Sequence, residues 1–395
     1  MRHKFGSILF LLLLPSLLAA RGREILVEFS VKGDCYYADI KKAKSTEKTT
    51  VRLCSTHDMD ELSGQSIYED ARARDLYNKI FGPIAPFLKA GDLVYFVPAG
   101  KIHFINLAAL EDRNRKRLCD IYRLHRLSSA KKFPFKDDRS HLADWILFGG
   151  MDYLANPERM IENCWWCHTH EVQDIYEDKV VYEYAPDLSF GTAEDGTRAG
   201  YDNLKYSRSE IKDILPLGHA SFHTGFRACE ELFKQEIRRT RDYYILLSTH
   251  TFTLKDRVGN EEYGLLFSGA GHTLENRKMP YNLNDGLLFD KEIETLDMSH
   301  ASLVVLAACN TGLGIVTQDG IQGLQGSFKK AGARTLVLTL WSVNDRATAA
   351  FTNSLFKHLS KGKTKFEAFE AARKDLMQSE DFCDPVYWAP FILLD

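Results

Sequence analysis

Apolar and polar side chains recur with two different spacings along the chain, and each spacing predicts one kind of element. Residues 25–31 alternate Ile, Val and Phe with other residues, which indicates a β-strand. In residues 67–88, Leu76, Ile80 and Ile84 recur every four positions, which indicates one face of a helix. Two further short runs predict strands: residues 35–37 and 93–98. Strands that alternate with helices predict a parallel sheet with helices on its faces.

The last third of the chain has the most regular pattern. Three continuous apolar runs predict strands that are buried on both faces: residues 244–248, 303–308 and 335–340. Between the second and third runs, Ile321, Leu324 and Phe328 share one face of a predicted helix. Gly332 is expected to end that helix. The apolar face of another helix follows the third run: Phe351, Leu355, Phe356 and Leu359. This order predicts parallel strands joined by right-handed crossovers.

Two stretches lack this regularity and predict exposed loops. Residues 186–203 combine glycines and acidic residues with few large apolar side chains. Residues 255–286 resemble them, except for an apolar interruption at residues 264–267.

The amino terminus predicts a signal peptide over residues 1–20. Arg2 and Lys4 precede an uncharged, Leu-rich stretch at residues 5–20, which ends in small side chains before Arg21. This stretch is shorter than the roughly 18–20 apolar residues that span a bilayer. If it is cleaved, the protein is secreted or periplasmic and meets a membrane only in transit. The alternative is a buried amphipathic helix in a cytoplasmic protein.

Composition limits the possible classes of protein. The chain has 395 residues, of which 45% are hydrophobic, so it can bury a sizeable core. Its 51 Lys and Arg nearly balance its 54 Asp and Glu, and the net charge of -3 gives no chain-wide basic surface for nucleic acid. Eight cysteines are too few to build a disulfide scaffold. We therefore expect a globular protein that does not bind nucleic acid.

Two reactive side chains follow predicted strands. His250 comes after the run that begins at residue 244, and Cys309 comes directly after the run at residues 303–308. Functional groups of open parallel sheets gather beyond the carboxyl ends of the strands. A cysteine nucleophile needs a nearby imidazole, because the thiolate is the attacking form. The plainer alternatives are a small buried cysteine and a structural histidine.

Eight segments resemble, in the same order, those of one known family. They are VYFVPAGKIH at 94–103, HRLSS at 125–129, GFRACEELFK at 225–234, DGLLF at 285–289, LVVLAACNTGLG at 303–314, GLQGSFKKAGAR at 323–334, LWSVNDRAT at 340–348 and YWAPFILL at 387–394. The family is the CHAT domain family, caspase-like peptidases that are often attached to tetratricopeptide repeats. The resemblance covers roughly residues 25–395, is weaker between residues 150 and 215, and includes no such repeat.

This resemblance implies a fold and a set of roles. The fold would be a caspase-like three-layer α/β sandwich, with a mostly parallel sheet and helices on both faces. Residues 21–150 would form a degenerate amino-terminal half, and residues 151–395 the catalytic half. His250 would be the general base and acid, and Cys309 the nucleophile, of a thiol peptidase that acts on proteins or peptides without a cofactor. The backbone N–H groups of Cys309 and Thr251 would form the oxyanion hole.

Thr251 departs from the family pattern, which usually has glycine after the histidine. A β-branched residue is disfavoured at positive φ, so Thr251 would shift this donor if the site required that conformation. The alternative function, from another class, is therefore an inactive CHAT-fold module that binds other proteins.

Asp345 has two interpretations. With Asn344 it precedes a helix and could be its N-cap. Residues 341–345 also resemble the segment of separase in which an acidic residue receives a basic side chain. On that basis Asp345 binds substrate, and cleavage follows Arg or Lys.

Cys164, Cys167 and His168 form a Cys-x-x-Cys-His pattern, which is typical of haem attachment and, with His170, could bind zinc. Neither a second cysteine pair nor a distal axial ligand can be assigned. A local disulfide or an insertion without a special role are the alternatives, and we predict no metal site. A haem or zinc redox protein would be a third function.

Overall fold

A computed structural model describes residues 22–59, 71–136, 143–157, 160, 204–255, 261–274, 284–308, 311–312, 314–317 and 320–395. Several sequence predictions lie outside this part of the chain. They are the signal peptide at residues 1–20, the loop at residues 186–203, the Cys164, Cys167 and His168 pattern, and Cys309.

Strands occupy the six predicted runs and further segments of the described residues. In chain order they are β1 (Glu24–Lys32), β2 (Cys35–Lys42), β3 (Lys48–Ser55), β4 (Leu93–Val97), β5 (Arg123–Arg126), β6 (Asp144–Met151), β7 (Ala220–Gly225), β8 (Tyr243–Ser248), β9 (Thr251–Lys255), β10 (Glu261–Leu266), β11 (Leu287–Phe289), β12 (Ala301–Ala307), β13 (Ile315–Thr317), β14 (Gly320–Gln322), β15 (Thr335–Thr339) and β16 (Phe391–Leu394).

The helices lie between these strands and after them. They are α1 (Ala71–Leu76), α2 (Leu118–Ile121), α3 (Ser207–Ile214), α4 (Glu230–Glu236), α5 (Ala270–Leu274), α6 (Asp290–Ile293), α7 (Leu324–Lys330), α8 (Asp345–Ser360), α9 (Lys365–Met377) and α10 (Pro385–Trp388).

One eleven-stranded sheet organises the fold, in the order β3-β2-β1-β4-β5-β16-β15-β12-β8-β6-β7. Seven of its ten neighbouring pairs are parallel, and the antiparallel ones are β3–β2, β2–β1 and β16–β15. The mostly parallel α/β sheet of the predicted fold class is therefore confirmed. The division near residue 150 stays a prediction.

Helices cover both faces of this sheet. Trp145 and Phe148 lie three positions apart on β6, so their side chains point to opposite faces. Trp145 contacts Phe356 of α8, and Phe148 contacts Phe233 of α4, with ring centroids 4.9 and 6.0 Å apart. Consistent with this, every residue of β12 is buried. These contacts give the three-layer arrangement.

Three sequence predictions need correction. Within residues 255–286, the described part contains more regular structure than the apolar interruption at residues 264–267 predicted, namely the strand β10 and the helix α5. Ile321 lies in the β13–β14 hairpin and not on α7, because Gly323 adopts a φ of 132° between them. The predicted helix at residues 67–88 is interrupted after α1 by a π-helical turn at Tyr77–Phe81 and a 3₁₀ turn at Ala85–Phe87. Its predicted apolar face is nevertheless buried.

Within the ranges described above, no helix is long and apolar enough to cross a bilayer.

Candidate active site

The carboxyl ends of β8 and β12 lie side by side. The two strands are parallel, and Ser248 of β8 pairs with Ala307 of β12. His250 follows Ser248 by two positions, and Cys309 follows Ala307 by two positions. Neighbouring strands are about 4.8 Å apart. From this register we expect both predicted catalytic residues to lie at the same edge of the sheet. Cys309 itself is outside the described residues.

Thr339, the last residue of β15, forms hydrogen bonds with Ala308, which precedes positions 309–310, and with Thr311 and Gly312, which follow them. Its hydroxyl donates to the carbonyl oxygen of Ala308 at 2.6 Å. Its N–H donates to the hydroxyl of Thr311 at 2.9 Å, and its carbonyl oxygen accepts the N–H of Gly312 at 2.8 Å. Thr339 and Thr311 are fully buried. The residues that flank Cys309 are therefore anchored to the end of β15.

His250 is half-buried in the turn between β8 and β9. Its carbonyl oxygen accepts the N–H of Leu266 at 3.0 Å, and its own N–H donates to the Tyr153 hydroxyl at 3.3 Å. The imidazole and the Tyr153 ring have centroids 5.4 Å apart, at an angle of 42°. Burial raises the pKa of Tyr153 to about 12, so the phenol stays neutral.

Thr251 is the first residue of β9, and it pairs with Leu265 of β10. Strand backbone has negative φ, a conformation that suits β-branched residues. The steric penalty considered for Thr251 at positive φ therefore does not arise here. Its part in an oxyanion hole stays a prediction.

Asp345 is the first residue of α8, and the N-cap is Asn344, whose side chain accepts the N–H of Ala347 at 3.1 Å. The Asp345 carboxylate accepts the N–H of Tyr206 at 2.8 Å, just before α3 begins. Burial raises the pKa of Asp345, while the Tyr206 N–H and the charge of His250 act in the opposite direction. Asp345 is therefore near enough to His250 for the two charges to interact.

Glu210 of α3 is a buried carboxyl group that the sequence did not single out. Its carboxylate oxygens accept a hydrogen bond from the Ser248 hydroxyl at 2.6 Å and another from the hydroxyl of Thr352 on α8. Ser207 donates to the carbonyl oxygen of Ser248 at 3.0 Å. Burial raises the pKa of Glu210 to about 7, and the negative charge of Asp345 adds to this effect. The end of β8 is thus fixed from the α3 side by buried polar groups.

No group of three His, Cys, Asp or Glu side chains that could hold a metal ion occurs among the residues that the structure describes. The Cys164, Cys167 and His168 pattern lies outside them.

The mostly parallel sheet with helices on both faces is that of the caspase-like class of folds. A model of the CHAT domain family matches residues 70–394, and this chain belongs to that family, which is related to caspase-like peptidases. The family resemblance stated from the sequence is thereby confirmed.

Two curated proteins are similar over a shorter segment. Tetratricopeptide repeat protein 28 of Mus musculus is 31% identical over 112 residues, which is 28% of this chain and 4% of that protein. Tetratricopeptide repeat protein 28 of Homo sapiens is 33% identical over 92 residues, which is 23% of this chain and 4% of that protein. The matched segment is thus a small fraction of the length of either relative.

Proposed function

We propose that the protein is a cysteine endopeptidase that uses His250 and Cys309 as its catalytic dyad. The observation that carries the proposal is the parallel register of β8 and β12, which pairs Ser248 with Ala307 two positions before each dyad residue. Membership of the CHAT family supports the same reaction class.

The chemistry proceeds in two halves. His250 takes the proton of the Cys309 thiol, and the thiolate attacks the carbonyl carbon of the scissile peptide bond. The N–H groups of Cys309 and Thr251 stabilise the resulting oxyanion. His250 then gives its proton to the departing amine, which leaves an acyl-enzyme. Water, deprotonated by the same imidazole, hydrolyses the thioester and restores the thiol.

Cleavage after Arg or Lys is the specificity that Asp345 supports. A half-buried carboxylate close to the imidazole attracts a guanidinium or ammonium group through charge-assisted hydrogen bonds. One oxygen of this carboxylate already accepts the Tyr206 N–H, so a substrate side chain would share the group with the start of α3.

The second candidate function is a CHAT-fold module that binds proteins without cleaving them. The feature that favours it is Thr251, which replaces the usual glycine of the family. An extended Thr251 orients its N–H according to the β9–β10 pairing rather than according to the needs of an oxyanion.

An electrophilic peptide probe with arginine before its reactive carbon separates the two functions. The full chain is compared with Cys309→Ala and with Cys383→Ala, which removes an exposed free thiol. A peptidase is labelled at Cys309 in the wild type and in Cys383→Ala, but not in Cys309→Ala. Equal labelling of all three proteins, or none of the wild type, would favour the binding module. A proteomic cleavage profile of wild type against Cys309→Ala then identifies the residue before the cut.

A further inference from the structure

We infer that Tyr153 is a positioning residue that sets the orientation of His250. The inference rests on the proposed function, because it concerns the histidine of the proposed dyad. Tyr153 is 97 positions from His250 in the sequence, yet its hydroxyl accepts the His250 N–H at 3.3 Å. Its side chain is only 1% exposed.

The hydrogen bonds of the Tyr153 hydroxyl leave one arrangement of protons. Thr249 donates its hydroxyl proton to the carbonyl oxygen of Leu266. The Thr249 oxygen therefore accepts the proton of Tyr153, whose oxygen lies 3.0 Å away. The Tyr153 oxygen remains to accept the N–H of His250. The phenol thus holds both residues of the turn between β8 and β9.

The backbone of Tyr153 is itself fixed by the segment that leads into α5. The N–H of Gly271 donates to the Tyr153 carbonyl oxygen at 2.9 Å, and the N–H of Gly269 donates to the backbone carbonyl oxygen of Asp152 at 3.1 Å. The N–H of Asp152 donates to the Ser268 hydroxyl at 3.1 Å. A Cβ on Gly271 would lie 2.9 Å from the Tyr153 carbonyl oxygen, so this close approach requires glycine.

The aromatic ring restricts the imidazole from one side. Its centroid is 5.4 Å from that of the imidazole, within the range of an aromatic contact. The charged groups near the imidazole come from other elements: Asp345 at the start of α8 interacts with His250, and the charge of Asp345 also acts on Glu210 of α3. Tyr153 remains neutral, so its contribution is orientation rather than charge.

The test compares Tyr153→Phe with Tyr243→Phe in the full chain. Tyr243 is also fully buried, at the opposite end of β8, and its hydroxyl donates to the Ile237 carbonyl oxygen at 3.2 Å. Tyr153→Phe therefore removes two buried hydrogen bonds of a phenol, and Tyr243→Phe removes one. The first readout is the rate at which iodoacetamide alkylates Cys309 as a function of pH, followed by mass spectrometry. A thiolate–imidazolium pair reacts well below pH 8.5, the ordinary pKa of a thiol. The second readout is kcat and KM on an arginine peptide.

We expect Tyr153→Phe to lower kcat by about 10- to 100-fold with KM within about twofold, as for a misplaced catalytic group. Its alkylation below pH 8 should slow by about tenfold or more, while Tyr243→Phe stays within about twofold of wild type in both readouts.

The two possible failures are distinguishable. A wild type without alkylation below pH 8 would overturn the proposed dyad and this inference with it. A wild type with that reactivity, retained in Tyr153→Phe, would overturn only the role of Tyr153. If Tyr153→Phe unfolds, Thr249→Val replaces it, because it removes the acceptor that orients the phenol. Wild-type kinetics in Thr249→Val would then count against the inference.

Discussion

At the scale of single residues, Asp345 combines a structural contact with a proposed substrate contact. Its carboxylate accepts the Tyr206 N–H, while its charge interacts with His250. Replacement by alanine removes both contacts and cannot separate them. Asparagine keeps an oxygen that can accept the N–H and removes only the charge.

We predict that Asp345→Asn lowers kcat/KM for an arginine substrate by about 10- to 100-fold, because it removes a charge-assisted hydrogen bond. The kcat/KM for a matched glutamine substrate should stay nearly unchanged. The melting temperature of Asp345→Asn should stay close to that of wild type, whereas that of Asp345→Ala should fall. Fluorogenic substrates and thermal unfolding measure these two effects. An unchanged ratio of arginine to glutamine cleavage in Asp345→Asn would exclude this carboxylate from specificity.

The sequence could locate some site residues but not others. His250 could be found because it follows a continuous apolar run, and the ends of such runs meet at one edge of a parallel sheet. Tyr153 and Glu210 could not, because their partners are distant in the chain: the Tyr153–His250 contact spans 97 positions, and the Glu210–Thr352 contact spans 142. Nothing in the local pattern around either residue marks such a contact.

At the scale of elements, Glu210 connects three of them. Its carboxyl group lies on α3 and accepts hydroxyl groups from Ser248 of β8 and Thr352 of α8. The three elements therefore share one buried acid just behind the turn that carries His250.

We predict that Glu210→Gln changes how stability depends on pH. The folded protein holds the Glu210 proton up to about pH 7, whereas the unfolded chain loses it near pH 4.5. The folded state therefore binds more protons between these values, and this group makes wild-type stability fall as the pH rises through them. Urea unfolding should show Glu210→Gln gaining roughly 3 kcal/mol relative to wild type between pH 5 and pH 8.

The exposed Glu24 at the start of β1 provides the control for this measurement. Glu24→Gln should leave the free energy of unfolding within about 0.5 kcal/mol of wild type at both pH values. A difference between Glu210→Gln and wild type that does not change with pH would contradict the assignment.

The sequence predicted an element wrongly where an ion pair or a positive φ outweighed the local pattern of apolar and polar residues. The segment of β10 begins with Glu261 and Glu262, which favour a loop by composition. Glu262 is nevertheless buried and paired with Lys291. Likewise the spacing of Ile321 fits α7, but the positive φ of Gly323 separates the two. The continuous apolar runs predicted β8, β12 and β15 to within two residues at either end.

At the scale of the whole molecule, a buried His–Asp pair joins β5 to β16 at the centre of the sheet. His125 of β5 and Asp395, which follows β16, lie 2.5 Å apart, and both are almost fully buried. The ring of Phe366 stacks on His125 with centroids 4.2 Å apart. Burial raises the pKa of Asp395, but the hydrogen bonds from His125 and Thr335 and the nearby positive charges together outweigh it, and the net shift is downward.

We predict that His125→Phe lowers the free energy of unfolding by about 3–5 kcal/mol at pH 7, because it leaves a buried carboxylate without its partner. Phenylalanine keeps the stacking on Phe366, so the loss reports the ion pair. The deficit should be smaller at pH 4, because in the variant burial without His125 raises the pKa of Asp395 and protonation then removes the buried charge.

The exposed pair of His219 and Asp144 is the matched control. His219→Phe should change the free energy of unfolding by less than about 1 kcal/mol. Equal losses from the two substitutions in urea unfolding would show that the buried pair does not hold β5 against β16.

The position of β16 also has a consequence for how the protein is made. This strand follows the other ten strands of the sheet in the sequence, yet five strands lie on each side of it. The ribosome therefore synthesises the central strand of the sheet after the strands on both sides of it. Until residues 391–394 emerge, the edges of β5 and β15 are open to pairing with other chains. Synthesis must therefore pass residue 394 before the two halves of the sheet can pair through β16.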